Sequence, residues 1–303
     1  MRRRDVIELV RAPAALSVPG DVVAGAAAAG WPFGPATPAL AASSACLYWA
    51  GMALNDYADR DVDAAERPGR PIPSGRVTPR FALGLAAGLT GAGIGLAGLV
   101  GGRRALAVAA PLAATVWAYD LVLKQTAAGP VAMAAARGLD VLMGAGAGRL
   151  RPALPGAALI AAHTLAVTAL SRSEVSGADQ RLPRATLAAT GVISAAAGLV
   201  AVGGGPPSGG WKRHRRARGT RPGPRLAGAG LLAVYAGTFG RAQLAAVHDP
   251  APERVRRAVG AGILGLMPLQ AALAAGAGAP VAAAPVAAAF PLAWRLSRRV
   301  SPT

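Results

Sequence analysis

The feature that most constrains this chain is the recurrence of long segments that carry almost no charge, such as 38–54, 105–118, 153–171, 185–203 and 258–294. The hydrocarbon core of a bilayer is about 30 Å thick, and an α-helix needs roughly 20 apolar residues to cross it. Only 15% of the residues are charged, whereas a soluble domain carries about 25%. The pattern therefore predicts a polytopic α-helical membrane protein.

Nine apolar segments qualify as membrane helices, and a weaker tenth contains three prolines. The chain start resembles a signal peptide, but Pro19, Gly20 and Asp21 interrupt its apolar run, so we expect a first membrane helix there. No soluble domain is evident, and 1–303 is expected to be one all-α membrane domain. The expected spans are 12–30, 38–56, 79–100, 104–123, 127–148, 154–174, 184–203, 226–247, 256–276 and the weaker 279–296.

The net charge of +18 comes from basic residues that lie in short gaps between the apolar segments. This placement favours membrane lipid as the partner rather than nucleic acid. The excess of arginine and lysine in the 57–78, 124–126, 175–183 and 248–257 loops predicts that these loops and the N-terminus face the cytoplasm. The single cysteine, Cys46, excludes an intrachain disulfide.

Residues 203–225 form a segment with seven lysines and arginines and no acid, in a loop that the predicted topology places outside, against the bias of the other loops. A segment of this composition cannot bury a core, so we predict a disordered basic loop between two helices. It could be simply solvated, or it could bind lipid headgroups.

An acid-rich loop follows the second apolar segment. At 100° per residue, Asn55, Asp56, Asp59 and Asp63 fall within one arc of about 100° if the helix continues, while Asp61 points away. Carboxylates on one face repel each other unless a cation lies between them. Oxygen ligands suit Mg²⁺, whose shell is completed by phosphate oxygens, and Arg67 and Arg70 are suited to binding a diphosphate.

The pattern Asn55-Asp56-x-x-Asp59-x-x-x-Asp63, followed by RPGRPIPSG, resembles the first aspartate motif of the UbiA-type membrane prenyltransferases, and more narrowly their EboC-like branch. The resemblance implies about nine helices around a central cavity, with the aspartate loops at its cytoplasmic mouth. It implies Mg²⁺ on Asp56, Asp59 and Asp63, holding the diphosphate of an allylic prenyl donor. Tyr119 and Lys124 match the family's tyrosine-plus-basic pattern, although Lys124 could instead pair with Asp120.

The second aspartate motif of the family, DxxxD, is altered here. Glu174 can stand for the first acid, but the second position is Ala178, and Asp179 comes one residue late. Helical geometry would place residue 178 one turn beyond Glu174. Arg137, which could line the cavity and contact the diphosphate, could equally pair with Asp140 inside the bundle.

The sequence therefore predicts Mg²⁺-dependent transfer of a prenyl group to a small or lipid-like acceptor, in the membrane of a bacterial cell. Two alternatives stay open: a relative that binds prenyl diphosphate but turns it over poorly, and a small-metabolite transporter. The acceptor, the prenyl chain length and the oligomeric state are not specified by the sequence. The predicted catalytic residues are Asp56, Asp59, Asp63, Lys124 and Glu174; the diphosphate ligands are Asn55, Arg67, Arg70, Tyr119, Lys124 and Arg137; the metal ligands are Asp56, Asp59, Asp63, Glu174 and Asp179.

Overall fold

The structure, a computed structural model, describes residues 2–11, 15, 17–30, 34–203 and 222–297. Within these ranges the regular structure is entirely helical, which confirms the all-α prediction. A π-helical turn, Tyr119–Leu123, extends α5, and a 3-10 turn, Arg151–Ala153, precedes α7. The helices are α1 Arg3–Leu9, α2 Val18–Ala28, α3 Ala36–Ala58, α4 Arg60–Glu66, α5 Pro79–Ala118, α6 Gly129–Gly144, α7 Leu154–Ser171, α8 Arg181–Gly203, α9 Pro222–His248, α10 Pro252–Gly276 and α11 Pro280–Ser297.

The 40-residue α5 is a helical hairpin with two arms, 79–101 and 103–118. Gly102 lies between them with φ 62° and ψ −152°, a backbone conformation that only glycine adopts readily. The indole nitrogen of Trp117 donates a hydrogen bond to the Thr90 hydroxyl at 3.0 Å. In a straight helix those residues would be about 40 Å apart, so the arms run antiparallel. The prediction of two separate spans, 79–100 and 104–123, is correct.

Four of the described helical segments are long and apolar enough to cross a membrane: 79–123, 151–171, 181–201 and 252–276. The chain is an integral membrane protein. The predicted first span, 12–30, ends two residues late, because α2 ends at Ala28, and positions 12–14 and 16 lie outside the described residues. The predicted span 154–174 also ends early, at Ser171. The predicted span 127–148 runs past the end of α6 at Gly144. The other predicted spans each coincide with a helix or with one arm of α5.

Small residues allow the central helices to approach closely. A Cβ added at Gly25 of α2 would lie 1.8 Å from the Val141 carbonyl oxygen of α6, and one at Gly144 would lie 2.3 Å from the Val22 carbonyl oxygen. Neither position can accept a side chain without moving a backbone. Close backbone contact is how helices associate in lipid, where packing rather than exclusion from water holds them together.

The predicted basic loop, 203–225, lies mostly outside the described residues, which stop at 203 and resume at 222. Its last four positions are helical, since α9 begins at Pro222. The predicted character of 204–221 stays a prediction.

Candidate active site

The acid-rich run lies where α3 passes into α4. Asp59 has φ −88° and ψ 2°, which ends α3 at Ala58, and α4 begins at Arg60. The Asp59 amide still donates to the Asn55 carbonyl oxygen at 2.9 Å, and the Asp63 amide to that of Asp59 at 2.8 Å. The helical phase is thus nearly kept across the junction. The side chains of Asp56 and Asp63 are buried, whereas that of Asp61 is 84% exposed, as the spacing predicts.

Two arginines face the buried acids of this run. Nη1 of Arg70 lies 2.8 Å from Oδ1 of Asp56 and 4.0 Å from Oδ2 of Asp63, so one guanidinium lies between both carboxylates. Nη2 of Arg11 lies 3.2 Å from the same Oδ1 of Asp56. The predicted diphosphate ligand Arg67 is exposed and has no ion pair within the described part of the chain. Positive charge is therefore held deep in the site by Arg70 and Arg11.

The end of the α5 hairpin supplies the third basic group. The π-helical turn that begins at Tyr119 carries the chain to Lys124, whose Nζ lies 2.5 Å from Oδ1 of Asp59. The alternative pair with Asp120 does not form, because buried Asp120 accepts a hydrogen bond from the Asn55 amide at 3.3 Å instead. Asn55 and Lys124 thus connect the acid-rich run to the hairpin.

The N-terminal helix is tied to the far end of the same loop. The Arg76 guanidinium donates to both oxygens of the Glu8 carboxylate, at 2.7 and 3.0 Å, and to Oδ1 of Asp5 at 3.0 Å. Hydrogen bonding from Arg76 holds the pKa of the Glu8 carboxyl below its usual range. Together with Arg11, these contacts place α1 against the mouth of the site.

The second loop, after α7, is built differently. The helix ends at Ser171, and Gly177 adopts φ +79°, so no helix places residue 178 one turn beyond Glu174; that expectation was wrong. Ala178 donates its amide to the Pro250 carbonyl oxygen at 3.0 Å and packs against the core between α7 and α10. The Asp179 carboxylate is 72% exposed and lies near the Arg181 side chain. The structure does not bring Asp179 to the acids of the first loop.

Glu174 is half-buried in the second loop. Burial raises the pKa of its carboxyl, and the positive charge of Arg256 opposes that rise. The loop is joined to the active-site end of α5 through Arg172, whose guanidinium donates to the Thr126 carbonyl oxygen.

Arg137 lies in the interior of the bundle rather than at the acid-rich run. Its Nη1 lies 2.6 Å from Oδ2 of Asp21 on α2, and its Nη2 bonds the Ser17 hydroxyl at 3.0 Å. The alternative partner, Asp140, accepts from Ser44 at 2.7 Å. Arg137 lies eight residues into α6, which is about 12 Å along the helix. Its predicted contact with a diphosphate is not supported by these partners.

The model of the UbiA prenyltransferase family matches residues 17–174, which is just over half of the chain. The chain belongs to the UbiA prenyltransferase family. The match includes the acid-rich run, Lys124 and Glu174, but ends before Asp179. The narrower resemblance to the EboC-like branch stays a prediction.

Named relatives and solved UbiA structures agree with this membership. The digeranylgeranylglyceryl phosphate synthase of Methanopyrus kandleri is 40% identical over 156 residues, which cover 50% of this chain and 55% of that protein. The chain thus spans about half the length of this curated relative. A UbiA homologue from Aeropyrum pernix K1 superposes with a TM-score of 0.59 at 21% identity, covering 86% of this chain and 96% of the other.

A UbiA homologue from Archaeoglobus fulgidus, bound to GPP and Mg²⁺, superposes with a TM-score of 0.57 at 13% identity. It covers 91% of this chain and 99% of its own. At these identities the structural comparisons show a shared fold, and they extend it beyond the residues that the family model matches. The second half of the chain therefore shares the UbiA fold as well.

The donor set of the first loop fits Mg²⁺ in a UbiA site. Asp56 and Asp63 face one cationic group, Arg70, so the protein already accommodates positive charge between these two carboxylates. In the described ranges no three acidic, histidine or cysteine side chains are close enough to enclose a metal ion by themselves. This suits Mg²⁺, which takes one or two carboxylates and completes its shell with phosphate oxygens and water.

Sequence reasoning missed two residues that lie at the acid-rich run. Arg11 precedes the first membrane helix and carries no motif, and the structure alone shows its contact with Asp56. Asp120 was considered only as a partner for Lys124, although a carboxylate at the end of an apolar span is a functional candidate by default. Its position next to Tyr119 was the available signal.

Proposed function

We propose that this protein catalyses Mg²⁺-dependent transfer of a prenyl group from an allylic prenyl diphosphate to an acceptor in the membrane. The observation that carries the proposal is the convergence of Asp56, Asp59 and Asp63 with Arg70 and Lys124 at one end of the helical bundle. Carboxylates for a divalent ion and cations for phosphate oxygens are what a metal–diphosphate needs. Membership of the UbiA family supports the same reaction.

The roles of the side chains follow from their positions. Asp56 and Asp63 would hold Mg²⁺, which would neutralise charge that develops on the departing diphosphate, and Asp59 would join them by giving up its pair with Lys124. Arg70 and Arg11 are placed to exchange a carboxylate partner for diphosphate oxygens, and Lys124 can do the same from the opposite wall. Preorganised charges of this kind commonly make the largest contribution to lowering the activation free energy. Removing one donor typically lowers the rate by about 10²–10³-fold. The C–O bond breaks with its electron pair on the diphosphate, and the acceptor's nucleophilic oxygen or carbon bonds to the allylic carbon. The acceptor loses one proton in this step, which the released diphosphate can accept.

The acceptor that deserves the first test is a prenylated glyceryl phosphate. Curated relatives that share 40% identity or more with parts of this chain are digeranylgeranylglyceryl phosphate synthases, named for a glyceryl phosphate with two geranylgeranyl groups. The match to them is partial, so the acceptor rests on the family resemblance and not on a described binding site.

We place the aspartate loop on the cytoplasmic side, because the N-terminal segment and the loops at this end together carry more arginine and lysine than the loops of the opposite end, 203–225 included. The named relatives come from archaea such as Methanopyrus kandleri and Ignicoccus hospitalis, so they give no support to the predicted bacterial cell membrane.

A donor-binding protein with weak turnover is the second candidate. The observation that favours it is the 72% exposure of Asp179, which leaves Glu174 as the one partly buried acid of the second loop among the described residues. Such a protein would bind an allylic diphosphate with Mg²⁺ and release it unchanged. The transporter alternative has no comparable support.

The test is incubation of membranes containing the protein with Mg²⁺ and radiolabelled geranylgeranyl diphosphate, with and without geranylgeranylglyceryl phosphate. The expected result is a labelled lipid of the summed mass that requires Mg²⁺ and is absent with Asp56→Asn. Donor binding is measured in parallel by equilibrium dialysis. Binding without product would select the second candidate, and neither binding nor product would contradict both.

A further inference from the structure

A groove of about 810 Å³ lies on the outside of the bundle, apart from the acid-rich run. Helix α10 forms its floor, and α9 and α11 form its two walls. Its residues belong to none of the elements that carry Asp56, Asp59 or Lys124. It is a separate feature of the molecule, and its occupant need not be a substrate.

Small residues make the groove deep. Ala233 and Gly237 of α9, four residues apart, lie on one face of that helix, and Gly260 and Ala261 of α10 line the same groove. A Cβ added at Gly237 would meet no other atom within 4 Å, and the same holds at Gly260. The α11 wall carries Trp294. Most of the lining is therefore apolar and open to the hydrocarbon region of a bilayer.

One end of the groove is strongly basic. Three arginines line it, Arg241, Arg256 and Arg257, against one acid, Glu253. Glu253 and Arg257 form an ion pair with each other. Arg241 and Arg256 are exposed, and neither has an ion pair with any described acidic side chain. After the internal pair is counted, Arg241 and Arg256 keep this end positive, although the Glu174 carboxylate offsets part of the Arg256 charge.

The basic end lies at the level of the membrane surface. Arg256 is in the second turn of α10, which begins at Pro252 and is one of the segments able to cross a membrane. Arg241 is seven residues before the end of α9, so its long side chain can extend along the helix towards the headgroups. The groove thus has positive charge at the membrane–water interface and an apolar part beneath it. These properties match an amphiphile with a phosphate at one end.

We infer that this groove binds one anionic phospholipid of the surrounding bilayer, with its phosphate at Arg241 and Arg256 and an acyl chain along the α9–α10 face. A neutral or zwitterionic lipid would leave the two arginine charges without net compensation. A second copy of the chain would have to place apolar residues and an acid in the same groove. Charge complementarity therefore favours an acidic lipid.

The test is native mass spectrometry of the purified full-length protein in detergent with added phosphatidylglycerol or phosphatidylcholine of identical acyl chains. We expect one phosphatidylglycerol to be retained in preference to phosphatidylcholine. The double variant Arg241→Gln/Arg256→Gln should retain it roughly thirty-fold less well, at about 1 kcal/mol for each arginine. Arg103→Gln/Arg104→Gln, which removes two exposed arginines at the α5 turn, is the matched control and should retain it fully.

A second pair of variants tests the shape of the groove. Gly237→Leu fills the groove and should abolish retention of phosphatidylglycerol although all arginines are present. Gly191→Leu, at a glycine of α8 where an added Cβ also meets no atom within 4 Å, should leave retention unchanged. Retention that is equal for the two lipids, or unchanged in both the arginine and the Gly237 variants, would overturn the inference. So would a dimer that Gly237→Leu converts to a monomer, because the groove would then be a subunit interface.

Discussion

The two loops at the active-site end of the bundle contain similar residues but are constructed in opposite ways. In the first, 55–76, the acids Asp56 and Asp63 are buried and face Arg70. In the second, 171–183, the carboxylate of Asp179 is largely exposed, and Gly177 leads the backbone out of helical geometry. The comparison teaches that burial and charged partners, rather than the number of acids, separate a site from a solvated loop.

The largest expected effect is in the first loop. Asp56→Asn removes the charge that faces both Arg70 and Arg11, and an amide cannot replace a carboxylate in holding a divalent ion. We expect prenyl transfer to fall by about 10²–10³-fold at equal protein level. Asp61→Asn, at an exposed acid of the same run, is the control and should keep full activity. Near-normal turnover by Asp56→Asn would contradict the conclusion that the buried acids of the first loop form the site.

The second loop should respond more weakly and unequally. Glu174→Gln removes a half-buried carboxylate. We expect the affinity for Mg²⁺ to fall roughly ten-fold, which is typical when a residue that supports metal ligands is replaced. Asp179→Asn should change nothing, because its side chain is in solvent. The measurement is a Mg²⁺ titration of donor binding in both variants. A severe loss with Asp179→Asn would show that the loop closes over the donor.

Restoring the family spacing in the second loop should fail. In Ala178→Asp the new carboxylate would stand against the core between α7 and α10, where Ala178 now packs. Burying it without a partner is expected to cost about 1–3 kcal/mol. Thermal unfolding in detergent should show a lower midpoint than wild type and no gain in Mg²⁺ affinity. A gain in affinity without destabilisation would mean that this position faces the cavity.

The smallest effect concerns the tie between α1 and the first loop. The pKa of Glu8 is lowered by hydrogen bonding from Arg76, so its stabilising contribution is present above its usual pKa and is lost as pH falls through the lowered value. Because Glu8 is partly exposed, we expect Glu8→Gln to cost no more than about 1 kcal/mol at pH 7. The difference in unfolding midpoint from wild type should vanish in strongly acidic buffer. Glu66→Gln, at an exposed acid of α4, is the control.

Much of this arrangement could be predicted from sequence, for definite physical reasons. Apolar length fixes membrane helices, and helical phase placed Asp56 and Asp63 inside and Asp61 outside. Partners distant in sequence could not be predicted, because nothing local records that Arg137 meets Asp21 or that Arg11 meets Asp56. The predicted helical geometry of the second loop was also wrong. Glycine at 177 permits a helical or a non-helical backbone, and only the contact with Pro250 selects the non-helical one.

The turn at Gly102 has a mechanical consequence for the site at the other end of the hairpin. Its second arm and the π-helical turn run about 30 Å from Gly102 to Lys124, whereas the first arm lies against α3, which leads into Asp59. A pivot at one end of so long a lever multiplies rotation, and about 5° at Gly102 moves the Lys124 end by about 2.6 Å. That shift is comparable to the 2.5 Å between Lys124 and Asp59. The direction that the chain takes at Gly102 therefore fixes where Lys124 stands relative to Asp59, so one backbone turn at the far end of the hairpin aligns a cation with the acid-rich run.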